Sequence, residues 1–164
     1  MFALRNAPSG TKAELYSELA GQARTLLEGE RDCTANAANL AALIFHTLPQ
    51  LNWAGFYWMK DGGLVLGPFQ GKPACVRIAV GKGVCGTAVR DRRTIVVPDV
   101  NQFPGHIACD SASMSEIVVP FVAGSTVVGV LDVDSPVPRR FDDEDARGLE
   151  AVVAEFLAAT DLER

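Results

Sequence analysis

The hydrophobic period of this chain changes twice along its length, which confines it to one class of fold. Apolar residues recur at helical spacing from Cys33 through Ala37, Leu40, Ala41 and Ile44 to Leu48, and Pro49 ends the run. The middle of the chain reads as strands separated by glycine-rich turns. Helical spacing returns at Leu149, Val152, Val153, Phe156 and Leu157. Residues 11–29 read as a further helix at the start, and Asp142 is placed to cap the last one, with Asp143, Glu144 and Asp145 at the positive end of its dipole. Helices at both ends of a run of strands imply an α+β fold, with helices packed on one side of a central antiparallel sheet.

The chain has 164 residues, of which 48% are hydrophobic, enough for one well-buried domain and too few for two. A single domain over 1–164, with its core at about 11–160, is the expected organisation. The net charge is −5 and the longest basic runs are the pairs Arg92-Arg93 and Arg139-Arg140. Nucleic acid is thereby excluded as a partner, because phosphate binding needs a basic stripe. No apolar run reaches membrane-spanning length, and Met1 to Asn6 carries no signal core. These features imply a cytoplasmic protein, in which a disulfide is expected to be transient and catalytic rather than structural.

Within the strand region, Asn52 to Met59 is followed by the turn Asp61-Gly62-Gly63, and Leu64 to Phe69 pairs back as a hairpin. Val84 to Arg90 reads as a short helix and Thr94 to Val97 as a short strand. Ile117 to Val122 is interrupted by Pro120, which implies an edge position or a bulge. In the strand from Thr126, alternation places Val127, Gly129, Leu131 and Val133 on a core face and Val128, Val130, Asp132 and Asp134 on the other. Two carboxylates in line on so apolar a strand are costly unless they meet a cation, a metal or a hydrogen-bond donor. A solvated strand end is the plainer alternative, better suited to Asp134 than to Asp132. Trp53 and Tyr57 share one face of their strand, and Gly55 between them leaves open space between two aromatic walls. Sheet-packing aromatics are the commoner outcome of such a pattern.

Three of the four cysteines, Cys75, Cys85 and Cys109, fall in glycine- and proline-rich stretches. Loops on a rigid scaffold are where chemistry tends to sit. Cys33 instead lies on the apolar stripe of a helix and reads as a core residue. The two histidines, His46 and His106, and the cysteine spacing match no zinc pattern, so no metal is expected. Gly81-Lys82-Gly83-Val84-Cys85-Gly86 matches neither the Walker pattern nor the dinucleotide fingerprint, and its glycines read as permitting a tight approach into the short helix. Residue chemistry alone therefore stops at a thiol-dependent enzyme acting on a small cationic, partly apolar molecule.

Six segments in order carry a more specific likeness: Asn52 to Tyr57, Gly67 to Cys75, Gly81 to Gly86, Phe103 to Asp110, Ser115 to Pro120 and Gly129 to Ser135. They resemble the free methionine-R-sulfoxide reductases, stand-alone GAF-domain enzymes, from about Leu51 to Ser135. The resemblance implies a GAF fold and reduction of free L-methionine-(R)-S-oxide to L-methionine. By motif, Cys109 corresponds to the attacking cysteine, which becomes a sulfenic acid. Cys75 corresponds to the resolving cysteine that closes a disulfide with it, and Cys85 to a third family cysteine, an alternative partner or a reserve. Glu116, Asp132 and Asp134 correspond to the acids that hold the substrate ammonium and the sulfoxide oxygen, and the resemblance implies a catalytic role for Glu116 and Asp134 as well. Trp53 and Tyr57 would enclose the methyl group, and backbone amides of the Gly105 to Ala108 stretch would receive the carboxylate. The resemblance further implies no bound cofactor, thioredoxin as external reductant and a homodimer.

One tension accompanies this assignment. A carboxylate-rich pocket, with Asp110 adjoining Cys109, should raise the Cys109 pKa, and the substrate ammonium is expected to relieve it. A non-catalytic GAF sensor of a small ligand is the alternative, and a thiol redox switch a third. Cys109→Ser separates an enzyme from a sensor, which would still bind.

Overall fold

The computed structural model describes residues 10–107 and 110–162. Among these, four helices and six strands follow the order α1 (Lys12–Leu27), α2 (Cys33–Thr47), β1 (Trp53–Lys60), β2 (Gly63–Gly71), β3 (Arg77–Ala79), α3 (Gly83–Asp91), β4 (Ile95–Val97), β5 (Ser115–Ala123), β6 (Thr126–Ser135) and α4 (Asp143–Ala159). The strands form one antiparallel sheet in the order β3-β2-β1-β6-β5-β4. Asp61 and Gly62, both with positive φ (53° and 78°), make the two-residue turn that pairs Lys60 with Gly63.

Helices α1, α2 and α4 cover one face, where Leu19, Leu40, Ile44, Leu149 and Phe156 pack on Phe56, Phe121, Leu131 and Val133. Capping is local and legible. The Thr11 hydroxyl and Glu14 carboxylate form a reciprocal capping box on α1, and Asp142 and Asp145 form one on α4. Asp145 also clamps the two helices together: its buried carboxylate accepts from Tyr16 Oη at 2.7 Å and pairs with Lys12 Nζ at 2.6 Å and an Arg140 guanidinium nitrogen at 2.9 Å.

The expected one-sided arrangement needs correction. Helix α3 packs on the opposite face, where Val84, Cys85, Ala88 and Val89 meet Trp53, Tyr57, Val118 and Val130. The central strands β1, β5 and β6 are apolar on both faces, so both must be covered. Pro120 pairs with Val130 at a position beyond β4, which reaches only Glu116 to Val118, and the register shifts immediately after it, between Phe121 and Val122. There Phe121 pairs with Gly129 and Val122 with Val127, leaving Val128 as the extra residue. The bulge flips the parity of the strand start: Val128 packs with the three-helix core and Val127 with the α3 side, the reverse of the simple alternation.

Candidate active site

The sheet register assembles the acids. Asp134 of β6 pairs with Trp53 of β1 on one side and Glu116 of β5 on the other, and Asp132 lies one rung along, between Gly55 and Val118. Glu116 and Asp132 are 6% and 8% exposed, and Asp134 is partly buried. All three line one cleft with Trp53, Tyr57, Ile78, Ala74, Val84, Cys85, His106, Ile107, Asp110 and Ser113. The cleft is therefore lined by both apolar side chains and carboxyls.

Like charges on opposed strand positions repel, and burial strips their hydration. Burial, followed by the negative neighbours, pushes all three carboxyls well above the usual carboxylate range. Asp132 Oδ1 is buried with no hydrogen-bond partner. His106 places Nε2 3.5 Å from Glu116 Oε2, and burial lowers its pKa.

The aromatic residues form a floor rather than two separated walls. A Cβ at Gly55 would stand 2.3 Å from Phe69 Cβ and 2.7 Å from the Trp53 ring. The space expected over Gly55 is filled by Trp53, stacked on Phe69 at 5.3 Å and on Tyr57 at 6.0 Å between ring centroids. The polar edges of this floor are fixed by the β2–β3 loop: Trp53 Nε1 donates to the Lys72 carbonyl at 3.1 Å, and Tyr57 Oη to the Cys75 carbonyl at 2.9 Å.

Cys85 sits in the first turn of α3, fully buried against the acids. A helix N-terminus favours a thiolate, but burial and the neighbouring acids outweigh it and push the thiol well above its ordinary value. Its Sγ lies within 4.8 Å of a carboxylate oxygen of Glu116 and of Asp132. The glycine after Cys85 acts as expected: a Cβ at Gly86 would stand 2.3 Å from the Ala79 carbonyl oxygen, so only glycine lets α3 approach β3.

Cys75 is disulfide-bonded, and Cys85 is a free thiol. Cys33 is half-buried against the three-helix core. Cys109 and Ala108 lie outside the described residues, so the role assigned to Cys109 and the full amide stretch ending at Ala108 have no geometry to report. The residue after Cys109 is well placed. Asp110 accepts from Ala112 N at 2.9 Å, Asn52 Nδ2 at 3.2 Å and Lys72 Nζ at 3.3 Å. These donors, the Ala112 amide first, hold it below the usual carboxylate range. The residue-by-residue reading gave no role to Asn52, Lys72 or Ser113, although Asn52 ties β1 to Asp110 and, at 2.9 Å, to Ser113 Oγ. Lys72 and Asp110 link the loop of Cys75 to the segment that follows Cys109.

Comparison with known proteins places this cleft in context. The GAF domain family model matches residues 34–159. The chain is 51% identical over 156 residues to the free methionine-R-sulfoxide reductase of Escherichia coli, covering 93% of this chain and 94% of that one. The chain belongs to the free methionine-R-sulfoxide reductases, a family of GAF-domain proteins. The solved structure of the family member from Neisseria meningitidis, in complex with its substrate, superposes with a TM-score of 0.89 at 42% identity, over 97% of this chain and 98% of that one. A GAF sensor protein from Burkholderia vietnamiensis matches with a TM-score of 0.89 at 63% identity, over 92% and 96% of the two chains. The expected GAF fold is therefore borne out. No helix among the described residues is long and apolar enough to cross a membrane.

Proposed function

We infer that this protein reduces the R epimer of free methionine sulfoxide to methionine using its own thiols. The observation that carries the reading is the cluster of three acids with raised pKa values in an aromatic-floored cleft, near a disulfide cysteine. Methionine sulfoxide has matching parts: an ammonium, a sulfoxide oxygen that must be protonated as it leaves, and an apolar methyl. The free acceptor Asp132 Oδ1 receives the ammonium, and Trp53 and Tyr57 bound the methyl. Glu116 and Asp134 supply the proton and hold the oxygen.

Cys109 attacks the sulfoxide sulfur, the oxygen passes to its own sulfur as a sulfenic acid, and methionine leaves. Cys75 then attacks the sulfenic sulfur, expelling water and closing a disulfide. The pairing of Cys75 with Cys109 is what the family resemblance implies. A dithiol protein of the thioredoxin class returns the disulfide to two thiols. The Burkholderia likeness favours one second reading, a sensor that binds without turnover.

Thioredoxin-coupled NADPH oxidation with purified R and S epimers separates the two. Turnover of R alone, abolished in Cys109→Ser, is the expected result. No turnover of either epimer, with a chemical dithiol as well, would leave the sensor reading in its place.

A further inference from the structure

Cys85 is a buried thiol that the reaction above does not use. The fold brings its Sγ and one carboxylate oxygen each from Glu116 and Asp132 within 4.8 Å of one another. Separately, Asp132 Oδ1 is enclosed and unpartnered in a residue only 8% exposed. These residues come from α3, β5 and β6, so no ligand spacing in the sequence announces them. We propose that Cys85, Glu116 and Asp132 form a binding site for a thiophilic divalent cation, Zn2+, which excludes the substrate ammonium.

The donor set argues for the ion. In a tetrahedral zinc site, bonds of about 2.0 Å to oxygen and about 2.3 Å to sulfur place ligand atoms roughly 3.3–3.7 Å apart. The three atoms here need to close by little more than about 1 Å to reach that spacing. One sulfur with two oxygens suits zinc better than magnesium or calcium, which take oxygen ligands alone. His106 Nε2 lies 3.5 Å from Glu116 Oε2, one of the three donor residues. Binding displaces the thiol proton, and any protons held by Glu116 and Asp132, to solvent. The ion and the substrate ammonium answer the same deficit of positive charge, so they compete; this second half rests on the proposed substrate.

The test uses disulfide-oxidised protein without reductant, which binds but cannot turn over methionine sulfoxide. Cobalt(II) reports sulfur ligation through its thiolate charge-transfer band, and calorimetry gives zinc affinity and stoichiometry. Expected are one zinc per chain and a cobalt band in the wild type and in Cys33→Ala. The band is lost in both Cys85→Ala and Cys85→Ser, and zinc binds at least tenfold more weakly in these and in Asp132→Asn. Magnesium produces no heat, and added methionine sulfoxide raises the apparent zinc Kd. No cobalt band in the wild type, or a band that survives loss of Cys85, would overturn the site. Zinc bound through Cys85 but indifferent to methionine sulfoxide would overturn the exclusion. Turnover of the R epimer without a cobalt band would leave the reductase reading intact and remove this one alone.

Discussion

At the residue scale, the acids of the cleft change the electrostatics expected from their composition. Burial and mutual repulsion oppose ionisation of Glu116, Asp132 and Asp134. Asp110, held below the usual carboxylate range, pairs with Lys72. The linkage has a definite sign. A carboxyl whose folded pKa is raised contributes stability below its unfolded value of about 4, and loses it as pH rises toward the folded value. The melting temperature of the unliganded protein should therefore fall from pH 5 to pH 8, with a shallower slope in Asp132→Asn; equal slopes in the two proteins would contradict the assignment. The substrate ammonium should still lower the Cys109 pKa. Alkylation of Cys109 across pH, with and without a methionine analogue that leaves the thiol accessible, should shift to lower pH in the bound state.

At the element scale, periodicity identified the helices and most strands because their apolar faces are long. Strand β3 escaped because it is three residues with a single buried side chain, Ile78. The placement of α3 on the far face was hidden because β1, β5 and β6 are apolar on both sides, and the Val128 bulge because Val127 and Val128 look alike in sequence. The α1–α4 contact was also invisible, yet it is tight: a Cβ at Gly148 would stand 2.1 Å from the Tyr16 ring. Gly148→Ala should destabilise the protein by roughly 1–3 kcal/mol through overpacking, read as a lowered urea midpoint at unchanged m-value. An unchanged midpoint would mean that Tyr16 moves aside freely.

At the scale of the whole molecule, the sheet divides two tasks. One face carries the three-helix core and the Asp145 clamp, and the other carries the cleft under α3 and the loops. The acids and aromatics of the cleft were legible from strand alternation, since Trp53, Tyr57, Asp132 and Asp134 fall on one face. Their pairing with Glu116 needed the register of β5 against β6. The polar ties of Asn52, Lys72 and Ser113 had no periodic signal at all, being short loop contacts between segments far apart in the chain. The central claim is that this cleft couples reduction of one small molecule to closure of one disulfide. The most direct test is a single turnover: fully reduced protein is mixed with one equivalent of the R sulfoxide, and methionine and disulfide-linked peptides are quantified together. One methionine formed per Cys75–Cys109 linkage is the predicted result. Absence of methionine, or methionine formed while Cys75 remains a free thiol, would contradict the account.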